Sequence, residues 1–432
     1  MVVAGYQFLY PLSHHIQKQI PKREKSFMKK MALVSLLGLM LHAGILQDAI
    51  HKAKPGSRLD LPKGVLKGPI VIDKPLMLVG HGTVIDGGGH GTVIAIRSSN
   101  VILKDLTIRN SGSEHEKIDA GISVKDASFV QIDHCKIIDC LFGIDLQNVK
   151  NSKIIGNYIT SKPFPLGIRG DGIRLWYSND NILQDNHLYK SRDFVVWYSH
   201  GNKIVHNRGE YGRYSLHFMY AGRNFVENNV FKHNSVGIFF MYSKDTIAKN
   251  NIIMSSLGTT GIGIGLKDAS NFTLQNNTIL YCAKGLYIDR SPFEPGQTNK
   301  IVGNEILYNS IGIHFHSLST DNLITKNVFK GNMENVYDDS GQGRIHAVMN
   351  KWYENYWDDY QGFDQDGDGI GDVPYTLYYY ADKLWLLNPN IRFFYGSPVI
   401  SILNFLYKLA PFSEPIKLLT DPKPLMHEEG VS

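Results

Sequence analysis

A repeat of about 22 residues runs along most of the chain, and it restricts the possible folds more than any other feature of the sequence. An asparagine, usually followed two places later by an apolar residue, recurs with gaps of 29, 21, 22, 22, 26, 27 and 23 residues at Asn157, Asn186, Asn207, Asn229, Asn251, Asn277, Asn304 and Asn327. A glycine followed by Ile or Leu recurs in step with it at Gly121, Gly143, Gly172, Gly237, Gly263, Gly285 and Gly312. Such a period, broken only by insertions, is typical of a solenoid with one coil per repeat.

The alternation of apolar residues within each repeat predicts three short strands per coil, and therefore a right-handed parallel β-helix. Neighbouring coils of such a fold stack about 4.8 Å apart through parallel backbone hydrogen bonds. Asparagine suits the turns between strands, because its side chain bonds to nearby backbone and tolerates left-handed geometry. We expect the stacked asparagines to bond to one another as a ladder inside the solenoid, with Leu106 and Cys135 in the same position of the earliest coils.

The composition agrees with a solenoid that has a continuous core. The chain has 432 residues, of which 43% are hydrophobic, and its net charge is only +5. The mild charge and the lack of a basic run interleaved with aromatics argue against nucleic-acid binding. An odd set of three cysteines, Cys135, Cys140 and Cys282, argues against a disulfide framework. The repeat register makes all three small core residues.

The N-terminal segment resembles an export signal. Lys29 and Lys30 precede a short apolar run, and Ala43 follows it, so we expect a secretory signal that is cleaved near Ala43. Met28 stands just before the lysines and indicates an alternative translation start. Residues 46–53 then predict a short helix that caps the N-terminal end of the core.

The sequence divides into an N-terminal extension and signal peptide (1–43), a parallel β-helix (44–340), an irregular aromatic and Asp/Gly-rich module (341–380) and an apolar C-terminal docking tail (381–432). Insertions into the repeat fall at about residues 111–120, 161–171 and 255–261, all just before the Gly–Ile strand. We therefore expect them to share one edge of the solenoid. A fourth insertion, near residues 291–298, follows that strand instead.

The strand that begins at the Gly–Ile pair carries the side chains that are the best candidates for binding or catalysis. Strand alternation places Leu216 and Phe218 inward and His217 and Met219 outward. The same outward positions of other coils hold Arg174 and Trp176, Val195 and Trp197, Phe239 and Met241, Gly265 and Lys267, Tyr287 and Asp289, and His314 and His316. A tyrosine column runs beside them at Tyr177, Tyr198, Tyr220 and Tyr242.

This outward stripe is a candidate copper site. Met219 should lie about one strand spacing, ~4.8 Å, from Met241, and His217 shares their face. Thioether and imidazole ligands together favour a soft ion such as Cu(I). His314 and His316 form a second candidate pair for copper. The alternatives are an exposed apolar patch that a partner or loop covers and, for the histidine pair, ordinary surface residues.

An enzymatic interpretation is the main alternative for this fold. Parallel β-helices often host polysaccharide lyases and hydrolases, which place clustered carboxylates on an outer face. In this sequence the stripe offers Asp289 alone, while Asp133, Asp139 and Asp145 fall on different strands. We therefore expect a protein without enzymatic activity.

An acidic segment follows the repeats and suggests a calcium site. Asp364, Asp366, Asp368 and Asp372 alternate with glycines, and oxygen ligands in that spacing suit Ca²⁺. The match to an EF-hand loop is partial, because Tyr375 stands where the bidentate glutamate would be. A plain Asp/Gly turn is the alternative.

The tail from Phe393 to Phe412 is strongly apolar and contains Pro398 and Pro411. It is too short and too interrupted for a transmembrane helix. We expect it to dock on a partner or a membrane surface, or else to cap the end of the solenoid.

The sequence resembles the NosD family of nitrous oxide reductase maturation proteins. The stretch from Asn355 to Tyr375, NYWDDYQGFDQDGDGIGDVPY, carries the most specific likeness, and the segment DPKPLM from Asp421 to Met426 resembles the family's tail. The resemblance implies a periplasmic, copper-binding protein that is associated with the inner membrane through the membrane and ATPase subunits of an ABC transporter.

That resemblance further implies a role in building the copper–sulfur centre of nitrous oxide reductase. Its cargo would be copper, as Cu(I), or sulfur, with the reductase or a copper chaperone as the second partner. A β-helical carbohydrate-active enzyme and a metal-free docking platform remain the alternatives at this point.

Overall fold

The computed structural model describes residues 44–340, 345–379, 389–394, 397–409 and 415–428. The predicted signal segment lies outside these residues. Within them, three long parallel sheets of 13, 13 and 12 strands run along a solenoid, and each coil except the last adds one strand to each sheet. The parallel β-helix predicted from the repeat is therefore confirmed.

The first two sheets are built from short strands because a turn follows every three to five residues. The first sheet contains Arg58–Leu61, Met77–Gly80, Ile102–Lys104, Gln131–Asp133, Lys153–Ile155, Ile182–Gln184, Lys203–Val205, Phe225–Glu227, Ile247–Lys249, Thr273–Gln275, Lys300–Val302, Leu323–Thr325 and Lys351–Tyr353. The second contains Gly64–Lys67, Thr83–Asp86, Thr107–Arg109, Lys136–Cys140, Tyr158–Ser161, His187–Tyr189, Arg208–Glu210, Val230–Lys232, Ile252–Met254, Thr278–Leu280, Glu305–Leu307, Val328–Lys330 and Tyr356–Trp357.

The third sheet has the longer strands that begin at or near the Gly–Ile pairs. It contains Ile70–Ile72, Ile94–Ile96, Ala120–Lys125, Phe142–Gln147, Ile173–Trp176, Asp193–Trp197, Tyr214–Met219, Val236–Met241, Ile262–Lys267, Lys284–Asp289, Ile311–His316 and Glu334–Asp338. The insertions at residues 111–120, 161–171 and 255–261 all connect the second sheet to this one. Their predicted common edge is confirmed, and it borders the third sheet.

The core is a continuous stack of inward-facing side chains. Leu216 and Phe218 are fully buried, as strand alternation requires. Aromatic rings stack from coil to coil, with ring centroids 4.7 Å apart both between Phe218 and Phe240 and between Phe240 and Phe272. Since burial of one such side chain contributes about 1.5–3 kcal/mol, this stack holds neighbouring coils in register.

The predicted asparagine ladder occupies one row of turns. Asn229 shows its pattern: its Nδ2 donates to Asn251 Oδ1 at 2.9 Å and to the Ile204 carbonyl at 2.9 Å. The ladder begins where the Cys135 N–H donates to Asn157 Oδ1 at 2.9 Å. It then passes through Asn157, Asn186, Asn207, Asn229, Asn251, Asn277, Asn304, Asn327 and Asn355. Each amide satisfies buried backbone groups that the turns leave unpaired.

The N-terminal end of the core is covered by a helix through residues 44–52, which confirms the predicted cap. Leu46 and Ile50 are buried against the first coils. Gln47 bonds to the edge strand, with Nε2 donating to the Val71 carbonyl and Oε1 accepting from the Val71 N–H at 2.8 Å. The helix therefore provides hydrogen-bond partners for backbone groups at a sheet edge that would otherwise be unpaired.

The C-terminal end of the core is covered by an antiparallel pair, Tyr375–Tyr379 and Ile416–Asp421. Tyr375 stacks on Trp357 with ring centroids 4.5 Å apart, and both rings are buried. A short helical turn, Ala347–Met349, connects the last coils. Residues on either side of the apolar segment Phe393–Phe412 therefore cap the solenoid, while the docking and capping interpretations of that segment itself stay predictions.

The rest of the described tail lies on the surface. A 3-10 helix, Pro389–Phe394, precedes the α-helix Pro398–Leu409, and a further 3-10 turn, Leu166–Ile168, lies within an insertion far from the tail. Ile400 is buried, whereas Ile402, Phe405 and Leu409 are exposed. Among the helices in the described parts of the chain, none combines the length and apolar character that crossing a bilayer requires.

Candidate metal site on the third sheet

Two columns of outward-facing residues run side by side along the third sheet, in the register predicted from the sequence. The first column is Arg174, Val195, His217, Phe239, Gly265, Tyr287 and His314. The second column is Trp176, Trp197, Met219, Met241, Lys267, Asp289 and His316. Each member therefore lies one strand spacing, about 4.8 Å, from the next.

The first column faces outward but is shielded from water. His217 is 6% exposed, Phe239 is 7% exposed and His314 is 5% exposed. Neighbouring rings cover them: Phe239 packs with Val236 and Ile262, and the partly buried Tyr287 packs against this cluster. The sequence indicated an exposed stripe, and this expectation was wrong for the first column because large neighbours cover one another. Met219 and Met241, in the second column, are half-buried.

His217 sits in an aromatic enclosure beside a thioether. Its ring stacks on Tyr214 with centroids 4.6 Å apart and meets the edge of Trp197 at 5.5 Å. Its Nε2 lies 3.3 Å from the Met241 Sδ, and its buried Nδ1 has no hydrogen-bond partner. Burial lowers the pKa of His217 to about 4, so the ring is neutral at pH 7 and can act as a ligand.

Met219 completes the group that the sequence singled out. Its Cα pairs with that of Met241 across the two adjacent strands, and His217 is two positions away on the same strand. The structure thus brings His217 and Met241 into contact and places Met219 beside them.

The second histidine pair meets a carboxylate that the sequence analysis missed. His314 Nε2 lies 2.9 Å from Asp339 Oδ1, and His316 Nδ1 lies 2.8 Å from the same oxygen. One ligand atom from each of the three side chains lies within 4.8 Å of the others. Counting one further coil of 23 residues from His316, the length of the adjacent asparagine gap, would have identified Asp339.

The side chains of this second group shift one another's pKa values. Burial raises the pKa of Asp339, but hydrogen bonds and charge from His314 and His316 outweigh this effect and lower it to about 2. Burial lowers the pKa of His314, although Asp339 opposes the shift. The carboxylate is thus ionised at neutral pH, as a metal ligand must be.

The acidic loop brings three of its four predicted calcium ligands together. Carboxylate oxygens of Asp364, Asp366 and Asp368 lie within 4.8 Å of one another. Asp372 is outside this group and accepts a hydrogen bond from the Gln365 N–H at 2.7 Å. These oxygens also accept hydrogen bonds from loop N–H groups, so the arrangement is compatible with an Asp/Gly turn as well.

The carboxylates considered for acid–base chemistry are engaged by cations. Asp145, which is buried, lies 2.7 Å from the Arg174 guanidinium, and burial raises its pKa. Asp139 lies 3.7 Å from Lys162. Asp133 pairs with Lys104 at 3.2 Å and with His134, and Asp289 pairs with Lys267 at 2.6 Å. A general acid or base needs a carboxyl group that is available to substrate, which these partners oppose.

The tyrosine column forms a ladder beside the second column, in which Tyr198 is half-buried and the other three rings are exposed. Ring centroids are 4.9 Å apart between Tyr177 and Tyr198, 5.2 Å between Tyr198 and Tyr220, and 4.9 Å between Tyr220 and Tyr242. All four residues have left-handed backbone, with φ between 49° and 51°. Such a backbone costs energy for a bulky residue, so the stacking must offset it.

The cysteines are unsuited to metal binding. All three are free and buried, as the repeat register predicted. Burial raises the pKa to about 12 for Cys135 and Cys140 and to about 11 for Cys282. Thiolate is the metal-binding form, so these residues act as core fillers.

Comparison with solved structures defines the class of protein: a parallel β-helix. The chain is similar to the surface adhesin PfbA of Streptococcus pneumoniae, with a TM-score of 0.55, 13% identity, and coverage of 70% of this chain and 89% of that one. It is also similar to a mannuronic acid-specific family 6 lyase from human gut microbiota, with a TM-score of 0.51, 13% identity, and coverage of 73% and 85%. At these identities the likeness shows the fold alone.

Sequence comparison adds a similarity to one family. Residues 156–362 match the family model described as "Periplasmic copper-binding protein (NosD)". Two curated relatives carry the name "Probable ABC transporter binding protein NosD". The one from Pseudomonas aeruginosa is 29% identical and covers 83% of this chain and 86% of its own length. The one from Stutzerimonas stutzeri is 28% identical, with coverage of 90% and 93%.

The resemblance to the NosD family is thereby confirmed. The relatives are named as binding proteins and not as enzymes, in agreement with the non-enzymatic interpretation of the stripe.

Proposed function

We propose that this chain is a periplasmic accessory protein that carries copper during assembly of the copper–sulfur centre of nitrous oxide reductase. Its partners would be the membrane and ATPase subunits of an ABC transporter on one side, and the reductase or a copper chaperone on the other. The family description, periplasmic and copper-binding, and the relatives' names support this role. The transporter partner would place the protein at the inner membrane.

The observation that carries the proposal is the contact between His217 Nε2 and Met241 Sδ, 3.3 Å apart. Metal–nitrogen bonds of about 2.0 Å and metal–sulfur bonds of about 2.3 Å add up to more than this separation. One ion can therefore bond to both atoms at a moderate angle without any strand movement. Met219 lies on the same strand as His217 and pairs with Met241 on the next strand, so it would supply a second thioether.

The surroundings favour Cu(I) over hard cations. The imidazole is neutral at pH 7, and the thioethers carry no charge, so the ligand set is soft and uncharged. Tyr214 and Trp197 enclose His217 and keep water away. The half-buried methionines stand at the surface of the site, where a partner can reach the ion. Because these donors suit copper and not sulfur, we favour copper as the cargo.

The test is a titration of the purified protein with a competing Cu(I) chelator under anoxic conditions. We expect His217→Phe, Met219→Leu and Met241→Leu each to weaken Cu(I) binding by roughly 10-fold or more. The double variant Met219→Leu, Met241→Leu should nearly abolish binding. Met254→Leu is the matched control, because Met254 is an equally half-buried outward methionine on the second sheet.

Leucine preserves the apolar surface, so a metal-free docking platform would keep its partners in the double variant. Unchanged Cu(I) affinity in that variant would contradict the proposed site. Metal analysis of the protein purified with its transporter would then show whether copper binds elsewhere. Activity on acidic polysaccharides would instead support the carbohydrate-active alternative.

A further inference from the structure

We propose that the far end of the same face holds a second metal site, formed by His314, His316 and Asp339, for a borderline divalent ion such as Zn²⁺ or Cu²⁺. The proposal goes beyond the Cu(I) function, because its ligands and its ion differ. It assigns the two histidines to a set with a carboxylate instead of thioethers.

The fold places the three ligands in adjacent outward positions. His314 and His316 alternate on the strand Ile311–His316, so both point outward. Asp339 follows the next strand, and its N–H donates to the Phe315 carbonyl at 3.1 Å. This backbone hydrogen bond continues the sheet register and fixes Asp339 beside His316.

The donor distances fit a single ion. Asp339 Oδ1 lies 2.9 Å from His314 Nε2 and 2.8 Å from His316 Nδ1. An ion that binds nitrogen at about 2.0–2.1 Å and oxygen at about 2.0–2.2 Å holds such donors roughly 3.3 Å apart. A shift of a few tenths of an ångström would therefore let one ion bind all three donor atoms.

The ligand types select the kind of ion. Two imidazoles and one carboxylate suit Zn²⁺, Cu²⁺ or Fe²⁺, and the carboxylate balances part of the charge of a divalent ion. Ca²⁺ and Mg²⁺ prefer oxygen ligands, and Cu(I) prefers sulfur. This set therefore differs in preference both from the acidic loop and from the methionine site.

The surroundings already hold the ligands in place. Tyr287 meets the His314 ring edge-on at 5.3 Å and stacks on His316 at 5.9 Å, and Tyr337 packs against His314 at 5.0 Å. Both ring nitrogens of the buried His314 lack a hydrogen-bond partner, although Nε2 lies 2.9 Å from Asp339 Oδ1. Such an aromatic enclosure reduces the reorganisation that binding requires.

The two sites are separate. His217 and His314 belong to the same column, with Phe239, Gly265 and Tyr287 between them. Four strand spacings of about 4.8 Å put them about 19 Å apart. Each site can therefore be removed without altering the other.

Calorimetric titration of metal-free, untagged protein with Zn²⁺ and with Cu²⁺ tests the proposal, with excess Ca²⁺ present to fill any all-oxygen site. We expect one ion per chain, and we expect Asp339→Asn and His316→Gln each to weaken binding roughly 10-fold or more. His316 is half-exposed, so its variant keeps the test valid if changes at the buried His314 prevent folding. Asp133→Asn is the matched control, because Asp133 contacts a single histidine, His134.

Melting temperatures separate ligation from a structural role. Zn²⁺ should raise the melting temperature of the wild type and of Met219→Leu, Met241→Leu, but not that of Asp339→Asn. Unchanged Zn²⁺ and Cu²⁺ affinity in both Asp339→Asn and His316→Gln would overturn the proposal. An equal loss in Asp133→Asn would also overturn it. Loss of Cu(I) binding in Met219→Leu, Met241→Leu, with Zn²⁺ binding intact, would support a Zn²⁺ site that is independent of the methionine site.

Discussion

A single carboxylate terminates the asparagine ladder. Asp421 takes the place that the next asparagine would occupy: its Oδ2 accepts from the Asn355 N–H and Nδ2, both at 2.9 Å, and from Trp357 Nε1 at 3.2 Å. The side chain is fully buried. Two residues of the DPKPLM segment thus have a structural explanation, because the Leu425 N–H also donates to the Asn355 carbonyl, as a further coil would.

We expect Asp421→Ala to lower the free energy of unfolding by about 3 kcal/mol, because several buried donors lose their acceptor at once. Asp421→Asn keeps the acceptor oxygen of the ladder but places its amide nitrogen against the Glu354 and Lys423 N–H groups, which now donate to Oδ1, so its loss should be smaller, about 1–2 kcal/mol. Urea unfolding midpoints measure both changes. Equal midpoints for the two variants would show that the ladder does not depend on this carboxylate.

Individual residues also show how much of the two candidate metal sites could be predicted from the sequence. Strand alternation and coil spacing are set by the backbone, so they predicted the register of His217, Met219 and Met241. Burial depends on how side chains pack, and the stacking of Tyr214 on His217 could not be read from spacing. Asp339 was missed because the Asn and Gly landmarks fade before it.

At the scale of elements, the repeat predicted coils and their common insertion edge, because both follow from the period. The sequence landmarks fade after Asn327, yet the ladder continues through Asn355. The last strands, Lys351–Tyr353 and Tyr356–Trp357, still pair with the first and second sheets. Their core residues are Trp352 and Trp357, which the aromatic density of the segment obscured.

The acidic loop gives a prediction at the same scale. If it binds calcium, the double variant Asp366→Ala, Asp368→Ala should melt at a lower temperature than the wild type in calcium, but at the same temperature as the wild type in chelator. The reason is that a ligand of the native state stabilises it by mass action. At 100 times the dissociation constant this effect is about 2.7 kcal/mol.

Scanning calorimetry with calcium and with chelator makes that comparison. Glu114→Ala with Glu116→Ala is the control, because it removes an exposed acidic pair of the same spacing from an insertion. If calcium and chelator leave the wild-type melting temperature unchanged, the loop is a turn and not a calcium site.

At the scale of the whole molecule, two parts of the tail lie in different environments. The strand Ile416–Asp421 closes the solenoid, whereas the helix Pro398–Leu409 presents an apolar row to the outside. Ile402, Phe405 and Leu409 are 57%, 61% and 67% exposed, and their spacing puts them on one helix face. We propose that this row docks on a membrane surface, next to the transporter partner.

We expect the triple variant Ile402→Ser, Phe405→Ser, Leu409→Ser to lose binding to phospholipid vesicles while its melting temperature stays unchanged, because these side chains contribute little to the core. Vesicle flotation measures the binding. Ile247→Ser with Ile252→Ser is the control, since both residues are exposed on the solenoid itself. A lower melting temperature in the triple variant would assign the helix to the cap instead.

Because Asp421 bonds to the last coil from a later segment, that coil stays unpaired until the later segment has been made. Solenoids can fold coil by coil from one end, so the coils can form before the segment that contains Asp421 is synthesised. Until Asp421 and Leu425 arrive, the final coil presents the open N–H groups of Asn355 and an unpaired strand edge. A chain that lacks this segment would therefore have nearly all its coils folded, with one unpaired end at which it could associate with other chains.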